Sequence, residues 1–522
     1  MNWKQFKNLF KEKRASDSSF ILGLDLGNAT SAIAYFDMFT NSPEVIDISG
    51  GYGKPVAPTV MQYIPAAKEW VFGEYALLNR GVGNEITVMD LIQKLGSRNF
   101  IEIGGKAISI PNILGIFLKE LISNCKSLNP KAEIAGIIVA VADFCTEDYL
   151  TELQLAFKIA GYEKELIEFV PERLCVFTEY FSHSAPKKSR ALHLDFGGRG
   201  LRGGLYDITG SGECLILKNI SFLDNADLSV NNVDAAVEEL FGNIYSESNS
   251  EKKVGAASQI REQISNFAYQ HKDVLFQKNI LTKPLKLYFT FSHPPFQKSI
   301  TKKDIDALIE PFVKKFKELL AEMFEKNLYD LTEKLNHEDV DTVICTGGGF
   351  EMLWARNVVS EVFPAAKIVN KKAKCTAALG ASLIAAKRLG VIETANIKLE
   401  DRLKLKFDFG FLAKTDSKEK FIPLVERNSF WWQNIFSRRF LINEQTGENY
   451  TFEFLKRDEN GEITKVRDFE LEGLPKRPKA ASFFDVSVVF EGYDNILLKV
   501  TDCGFGELFE KTNYAQEFRF SV

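Results

Sequence analysis

Two short segments of the chain place an aspartate just ahead of glycines. In the first, Asp25 precedes Gly27, and in the second, Asp195 precedes Gly197 and Gly198. Aspartate and glycine at this spacing are typical of a loop that wraps the phosphates of a nucleotide, because glycine lets the backbone N–H groups approach a ligand closely. In the second segment, however, Arg199 stands where such a loop usually continues with a small residue.

Each segment lies in a pattern that predicts a β-hairpin. Residues 20–38, FILGLDLGNATSAIAYFDM, run from an apolar strand through a glycine turn into a second apolar strand, and residues 191–208, ALHLDFGGRGLRGGLYDI, repeat that layout. The repetition indicates an internal duplication. Between the two hairpins, residues 135–144 predict a buried strand, and an amphipathic helix follows that Thr146 caps.

The second half of the first region continues with helices and strands. Helical periodicity covers residues 232–241 and 258–276, and a long helix opens near Ser299 with a capping-box pattern at Thr301 and Asp304. A strand, a triple-glycine turn and a helix follow at residues 342–363, and then a helix rich in small residues. From residue 407 to 522 short strands replace the helical periodicity, which predicts a separate all-β domain.

The composition narrows the class of protein. The 522 residues carry a formal net charge of −5 and basic residues that are spread along the chain, so we expect no nucleic-acid partner. The seven cysteines lie far apart without a CxxC pattern, which is typical of reduced thiols. Since the sequence also has neither a long apolar span nor the pattern of a signal peptide, we expect a cytoplasmic protein.

The leader, residues 1–19, has a pattern of its own. Apolar residues recur at helical spacing in residues 1–14, MNWKQFKNLFKEKR, among lysines and an arginine. This pattern predicts a basic amphipathic helix that lies on an anionic membrane surface or in a groove of a partner protein. The other interpretation is a helix packed on the protein itself, or a frayed lead-in.

The two hairpins, the later glycine turn and the small-residue helix together resemble the actin-type ATPase fold. Sugar kinases, actins and heat-shock protein 70 chaperones share that fold. The β region looks most like the chaperones, because residues 469–502, FELEGLPKRPKAASFFDVSVVFEGYDNILLKVTD, are similar to their β-sandwich substrate-binding domain. The resemblance implies an α/β actin-like nucleotide-binding domain of two duplicated lobes at 20–392, a linker at 393–406 and a β-sandwich at 407–522 without a helical lid.

The resemblance also implies a site for ATP or ADP with magnesium. The matching positions are Asp25, Gly27 and Asn28 in the first phosphate loop, Asp195, Gly197, Gly198 and Arg199 in the second, Glu172 as the group that orients the attacking water, Lys272 beside the adenine, and Gly347 and Gly348 in the adenosine loop. Catalysis would then fall to Glu172, Asp195 and Asp25, and the two aspartates would hold the magnesium ion through water.

Several positions depart from the family's pattern. Asn28 and Ala29 replace hydroxyl residues, and Ile92 stands where the family has a lysine, with Lys94 two positions away. An aliphatic side chain cannot stabilise charge on a leaving phosphate. The remaining departures are Arg199, Arg202, Asn231, Asn232, Tyr269, Phe276, Glu351 and Lys374, the last two of which reverse the charges that the family carries. We therefore expect ATP hydrolysis to be weak or lost.

Arg199 has three interpretations. Its guanidinium could take the place of magnesium beside the carboxylates, since buried carboxylates without compensation are destabilising. It could instead reach a bound phosphate. In the third interpretation the side chain turns outward into water.

These observations predict a heat-shock-protein-70-like protein that binds ATP but hydrolyses it weakly or not at all. It would bind a protein or peptide partner through its β domain. Trp431 and Trp432 are the candidate contacts in that domain, because neighbouring strand residues face opposite ways and one ring should leave the core. In the other interpretation that ring is covered by a neighbouring loop or by the ATPase domain. The alternatives are a fully degenerate pseudo-ATPase scaffold that binds no nucleotide, and a sugar-kinase-like or actin-like relative.

Overall fold

A computed structural model divides the chain into two compact units, Met1–Glu400 and Asp401–Val522. The structure describes residues 19–37, 39–80, 84–125, 133–142, 145, 147–182, 188–211, 214–248, 257–276, 283–292, 294–325, 335–393, 396–400, 405, 407–415, 418–427, 429, 436–442, 449–490 and 495–521. No described helix is long and apolar enough to cross a membrane.

The first half of unit 1 is built on a mixed sheet. Its strands are β1 (Ser19–Leu26), β2 (Thr30–Asp37), β3 (Ser42–Ile46), β4 (Ala57–Pro58), β5 (Met61–Ile64), β6 (Glu69–Phe72), β7 (Ile86–Val88), β8 (Phe100–Ile103), β9 (Lys106–Ser109), β10 (Glu133–Val141) and β11 (Ile167–Pro171), and its helices are α1 (Gly73–Leu78), α2 (Ile110–Cys125), α3 (Glu147–Ile159) and α4 (Glu172–Ser182). The main sheet has the order β11-β10-β1-β2-β3, with β4 paired to β2. β1 runs antiparallel to β2 and parallel to β10.

The second half of unit 1 has a sheet of the same kind. Its strands are β12 (Ser189–Phe196), β13 (Leu201–Ser211), β14 (Cys214–Asn225), β15 (Leu285–Phe289), β16 (Phe296–Ile300), β17 (Thr342–Thr346), β18 (Lys367–Val369) and β19 (Asn396–Glu400), and its helices are α5 (Val230–Ser248), α6 (Ala257–Leu275), α7 (Lys302–Glu325), α8 (Leu353–Val362) and α9 (Thr376–Arg388). The sheet has the order β18-β17-β12-β13-β14-β19. β12 runs antiparallel to β13 and parallel to β17.

The two halves repeat one succession of elements. The first runs β1-β2-β3-α2-β10-α3-β11-α4 and the second runs β12-β13-β14-α7-β17-α8-β18-α9. The strand order is also the same, since each sheet extends a three-stranded antiparallel meander by two strands parallel to its first strand. The corresponding elements therefore bring Asp25 and Asp195 to the same place in the two sheets.

The last helix of each repeat packs between the two sheets. One hydrophobic cluster contains Ile138 of β10, Phe177 of α4, Ile344 of β17 and Ala381 of α9. A methyl group at Gly380 of α9 would overlap the backbone carbonyl of Cys175 in α4, and one at Gly23 of β1 would overlap the backbone of α9. The small residues of α9 thus let the backbones approach closely, and the two halves share a core.

Local signals in the sequence mark several of these elements correctly. The capping box is confirmed: the backbone N–H of Thr301 donates to the Asp304 carboxylate at 2.8 Å, and α7 begins at Lys302. The buried strand predicted at 135–144 is found as Glu133–Val141. Thr146, the predicted cap of the following helix, lies outside the described residues.

The region taken as a linker, residues 393–406, contains a strand of unit 1. Residues 396–400 form β19, which pairs in parallel with β14. Ile397 and Leu399 pack against the core of unit 1, while the three residues that alternate with them are exposed. The alternation of apolar and polar residues over five positions is a strand pattern that the surrounding charged residues obscured.

Unit 2 consists of β20 (Asp408–Thr415), β21 (Lys418–Val425), β22 (Phe436–Leu441), β23 (Tyr450–Arg457), β24 (Ile463–Leu471), β25 (Phe483–Phe490), β26 (Asn495–Gly504) and β27 (Ala515–Ser521). They form two four-stranded antiparallel sheets with the orders β21-β20-β23-β24 and β22-β25-β26-β27. Aromatic rings join the sheets: the centroids of Phe454 and Phe520 lie 5.5 Å apart, and those of Phe411 and Phe440 5.2 Å apart. The inner faces of the two sheets therefore share a phenylalanine-rich core.

Candidate functional site

The candidate site is a cavity in unit 1, bounded by the hairpin turns of both halves. Its volume of about 410 Å³ lies within the range of small-molecule sites. Every site residue predicted from the sequence lines it: Asp25, Gly27, Asn28, Glu172, Asp195, Gly197, Gly198, Arg199, Lys272, Gly347 and Gly348. The structure thus brings these residues together, and their roles stay predictions.

Asp25 and Asp195 stand at equivalent positions in the repeated sheets. Asp25 near the end of β1 is opposite Ala140 of β10, and Asp195 near the end of β12 is opposite Thr346 of β17. Burial raises the pKa of Asp25 to about 7, and the charge of Asp195 adds to the rise. Burial also raises the pKa of Asp195, although Arg202 and a hydrogen bond from Thr346 work against it. Although Arg202 offsets part of the negative charge at Asp195, the pKa of both carboxyls stays raised, so a further cation beside the pair would be favourable.

A buried hydrogen-bonded chain leads away from this pair. The Thr346 hydroxyl donates to the Asp195 carboxylate at 3.1 Å, and His193 Nε2 lies 2.9 Å from the same hydroxyl. Burial, together with the charge of Arg173, lowers the pKa of His193 to about 4, so the imidazole is neutral at pH 7. With its hydrogen directed at Asp195, the hydroxyl accepts from the Nε2–H of His193.

Sequence reasoning missed the roles of His193 and Thr346. The available signal was the strand period: His193 and Asp195 are two residues apart on β12 and so share a face of the sheet. The partner Thr346 could not be found in this way, because the pairing of β12 with β17 depends on a contact across about 150 residues of chain.

The turn after β17 requires glycine at its first position. Gly347 has φ +87°, and a methyl group there would lie 2.7 Å from the Asp195 carboxylate. The residue therefore combines a left-handed backbone with a close approach to the carboxylate pair. Gly348 follows on the cavity wall.

Arg199 lies at the rim of the cavity with an exposed side chain. It forms no ion pair with any carboxylate in the part of the chain that the structure describes, and its electrostatic neighbours are Arg202, Tyr149 and Asp224 rather than Asp25 or Asp195. Arg202 pairs with Asp224 at 3.5 Å. Arg199 therefore does not pair with Asp25 or Asp195 in this structure, and its role towards a bound phosphate stays a prediction.

The other end of the cavity carries two ion pairs. Lys272 binds Asp234 at 2.6 Å, and Lys374 binds Glu351 at 2.5 Å. In the family that the sequence resembles, the two positions of the second pair carry the opposite charges. Here the negative and the positive residue have exchanged places, and the ion pair is still formed. Lys272 also lies 5.3 Å from the centre of the Tyr269 ring. The lysine predicted beside an adenine is thus held by an acidic residue of α5.

One contact joins the two halves beside this end. The Tyr269 hydroxyl lies 3.2 Å from each carboxylate oxygen of Glu74, a buried residue at the start of α1. Glu74 also pairs with Lys54. Burial and the charge of Glu74 raise the pKa of Tyr269 above its ordinary range, so the phenol stays protonated and donates.

Two cavity positions bear most on hydrolysis: Glu172 carries a carboxylate, whereas Ile92 is aliphatic. Glu172, the first residue of α4, lines the cavity where a carboxylate could orient water. Ile92 also lines it and is buried, while the ammonium group of Lys94 donates to the backbone carbonyl of Met89. The lysine two positions away therefore does not substitute for a cation at Ile92.

Among the described residues no three histidine, cysteine or acidic side chains converge on a metal site. A magnesium ion here would therefore depend on Asp25 and Asp195, with water and ligand oxygens completing its shell. Trp431, Trp432 and residues 1–14, the predicted contacts to partners, lie outside the described residues.

Comparison with known families gives matches to two models without an assigned function. Residues 42–189 match "Family of unknown function (DUF5716) C-terminal", and residues 404–522 match "Domain of unknown function (DUF8552)". The first match lies in the first half of unit 1, and the second spans nearly all of unit 2. A search of curated proteins found no significant match.

Proposed function

We propose that unit 1 is an actin-type, heat-shock-protein-70-like domain that binds a magnesium–adenine nucleotide and hydrolyses it weakly or not at all. Unit 2 then acts as the part that binds a protein or peptide partner. The observation that carries the proposal is the equivalence of Asp25 and Asp195 at the ends of two repeated sheets, each beside a glycine turn, on the wall of one cavity.

The carboxylate pair supports a magnesium-bound ligand. Burial raises the pKa of both carboxyls, and the charge of Asp195 raises that of Asp25 further, so a divalent cation would relieve the cost of ionising both. Asp25 and Asp195 would hold the ion through water, and the turns at Gly27, Gly197 and Gly347 would offer backbone N–H groups to the phosphates. Magnesium would supply charge neutralisation on the phosphate oxygens.

The environment of the phosphate end supports weak hydrolysis. Glu172 lines the cavity and would orient water, but Ile92 offers no charge and Lys94 donates to a backbone carbonyl. Loss of a single stabilising donor typically costs about 100-fold or more in rate. A site of this kind retains ligand affinity more readily than turnover, because binding uses the glycine turns and the metal, which remain.

The proposal for unit 2 rests on its fold and on the sequence resemblance. Two antiparallel sheets with a shared aromatic core present edges and loops to which an extended peptide or a protein loop could bind. The seven cysteines are free, which fits a reducing compartment and supports a cytoplasmic location.

The direct test is calorimetric titration of the full-length chain with ADP and with ATP in excess Mg²⁺. We expect saturable binding that Asp25→Asn weakens at least about tenfold, because the substitution removes one carboxylate from the metal. Asp306→Asn, an exposed aspartate in α7, should leave the affinity unchanged.

Turnover is measured separately as phosphate release from ATP by the same preparation. Slow or undetectable release alongside saturable binding is the expected result. Absence of binding to both nucleotides would contradict the proposal and favour the scaffold that binds no nucleotide.

A further inference from the structure

Among the described residues, the basic side chains that line the cavity all belong to the second half of unit 1. They are Arg199, Arg202, Lys272 and Lys374. Within the part of the chain that the structure describes, three of them form ion pairs: Arg202 with Asp224, Lys272 with Asp234 and Lys374 with Glu351. Arg199 forms none there, so of these four cations it is the one left to bind an anionic ligand.

The turn between β12 and β13 holds the backbone around Arg199 in one place. The backbone N–H of Gly197 donates to the carbonyl of Gly200 at 3.0 Å, and the N–H of Val230 donates to the carbonyl of Gly197 at 2.9 Å. A methyl group at Gly200 would lie 2.3 Å from the carbonyl oxygen of Asn225, so the turn also packs closely against the end of β14. Arg199 therefore projects from a fixed backbone, and binding a ligand would cost little main-chain entropy.

The neighbouring carboxylates are compensated by Arg202. This residue of β13 lies directly opposite Asp195 of β12 and opposite Asp224 of β14, so the three side chains form a row on one face of the sheet. Arg202 pairs with Asp224, and its charge works against the rise in the pKa of Asp195. Its charge also repels that of Arg199. An anion bound beside Arg199 would relieve this repulsion.

The asparagine side chains near the two turns are directed at a carboxylate. Asn28 Nδ2 donates to Asp90 Oδ1 at 2.6 Å, and Asn231 Nδ2 lies 3.4 Å from the same oxygen. The Asn28 side-chain oxygen accepts from the backbone N–H of Gln93 at 3.2 Å. Because these contacts hold both amides beside Asp90, we assign the anion to Arg199 and not to the asparagines.

Tyr149 of α3 lines the cavity beside the two arginines. Burial raises the pKa of its phenol above the ordinary range, although the charges of Arg199 and Arg202 work against the rise. The hydroxyl therefore stays protonated at neutral pH. A guanidinium and a protonated hydroxyl together form a set of donors that suits an oxyanion.

Three carboxylates of the cavity act against an anion. They are Asp25, Glu172 and Asp195. A magnesium ion held by the two aspartates would remove much of this repulsion, because it reverses the sign of the charge at that point of the wall. We therefore expect the anion to bind best when Mg²⁺ is present.

We infer that Arg199 and Tyr149 form a binding site for a phosphate oxyanion at the rim of the cavity. Arg202 compensates Asp195 and Asp224, so that the Arg199 guanidinium stays available to the ligand. The oxyanion is either a phosphate group of the nucleotide, in which case the inference rests on the proposed function, or free inorganic phosphate. The planar guanidinium suits both, since it can donate two parallel hydrogen bonds to phosphate oxygens.

The test measures the affinities of the full-length chain for ADP, inorganic phosphate and adenosine in excess Mg²⁺ by calorimetry. We expect Arg199→Gln to weaken the binding of ADP and of phosphate about tenfold, because a charge-assisted contact is lost. Adenosine carries no phosphate, so its affinity should not change. The loss for ADP should shrink as NaCl is added, since salt screens an exposed charge.

Further variants separate charge, geometry and the hydroxyl. Arg199→Lys should recover part of the loss, because it keeps the charge without the planar fork. Tyr149→Phe should weaken ADP and phosphate by a few-fold. The matched control is Arg261→Gln, which removes an exposed arginine near the start of α6 and should leave all three affinities as they are. Thermal melting establishes that each variant is folded.

The possible outcomes separate the two proposals. If ADP binds Arg199→Gln as tightly as the wild type, or if the loss is the same at low and high salt, the anion site is refuted while the proposed function stands. If phosphate binds the wild-type chain but not Arg199→Gln, and ADP does not bind at all, the site stands for free phosphate and the proposed function fails. If neither ADP nor phosphate binds the wild-type chain, both proposals fail.

Discussion

Asp25 and Asp195 occupy equivalent positions near the ends of β1 and β12, the first strands of the two repeats. Burial raises the pKa of each carboxyl above its ordinary value. The charge of Asp195 adds to the rise at Asp25. Their protons are therefore coupled, and the pair titrates as one system. The magnesium ion of the proposed function would compete with a proton for these two carboxylates.

Asp25→Asn should make the stability of the protein less dependent on pH. The pKa of Asp25 is about 7 in the folded chain, against an ordinary value of 3.8. Since the folded state binds the proton more tightly, this group's contribution is fully present below about pH 4 and is lost as the pH rises to about 7. Thermal melts of both proteins from pH 4 to 8 should show the variant gaining roughly 1–4 kcal/mol relative to the wild type at pH 8.

The same proteins can be compared by thermal melting with and without Mg²⁺. At pH 8, added Mg²⁺ should raise the melting temperature of the wild-type chain more than that of Asp25→Asn. Asp306→Asn serves as the surface control and should follow the wild type in both series. Parallel pH dependence in all three proteins would show that Asp25 is not protonated near neutrality.

Thr346→Val should destabilise unit 1, whereas Thr346→Ser should not do so appreciably. The valine has nearly the same shape but removes the donor to Asp195 and the acceptor for His193, and leaves both buried groups without that partner. We expect a loss of about 1–3 kcal/mol in the free energy of unfolding by chemical denaturation. Equal stability of the valine and serine variants would mean that the hydrogen bonds of the Thr346 hydroxyl do not stabilise unit 1.

Gly380→Ala should destabilise the protein although alanine is the better helix former. The added methyl group overlaps the carbonyl of Cys175, and both α4 and α9 are fixed by the shared core. We expect a loss of about 1–3 kcal/mol in the free energy of unfolding. Gly242→Ala in α5 is the matched control, because no atom lies within 4 Å of its added methyl group, and it should gain about 0.5–1 kcal/mol. A gain in both variants would refute the close approach of the two helices.

Arg477→Met should destabilise unit 2. The Arg477 and Asp502 side chains are 4% and 0% exposed, and they form two hydrogen bonds of 2.6 and 2.7 Å. Burial raises the pKa of Asp502, but hydrogen bonds from Arg477 and Thr512 outweigh it and hold the pKa well below its usual range. Removal of the arginine leaves a buried carboxylate without its counter-charge, at a cost of about 3–5 kcal/mol.

Hydrogen exchange of the backbone amides in unit 2 of the full-length chain measures this loss. Arg439→Met is the matched control: Arg439 makes the same two-pronged contact with Asp485, but on the surface. Its amide protection should stay close to that of the wild type, because exposed ion pairs are screened by water. A similar loss of amide protection in the two variants would show that burial does not make the Arg477–Asp502 pair more stabilising than the exposed pair.

The sequence predicted best where one short segment determines the structure. The two hairpins and the capping box at Thr301 follow from local spacing, and nine of the eleven site residues belong to turns and strand ends whose glycines and aspartates are visible in the chain, the exceptions being the helical residues Glu172 and Lys272. Even the exchange of charge at Glu351 and Lys374 was visible, although only the structure shows that the two residues still bind each other.

What escaped prediction depends on contacts between distant segments. Asp90 was not singled out, because its partners Asn28 and Asn231 lie 62 and 141 residues away. The direction of Arg199 was left open for the same reason: a long side chain at a turn can reach inward or outward, and only the surrounding elements decide. The strand β19 was missed because its partner β14 lies more than 170 residues earlier.

The packing of α4 on α9 makes the two repeats depend on each other. These helices close corresponding repeats, and they pack together in one shared core. A repeat on its own would expose that helix face to water, so neither half of unit 1 carries a complete core by itself.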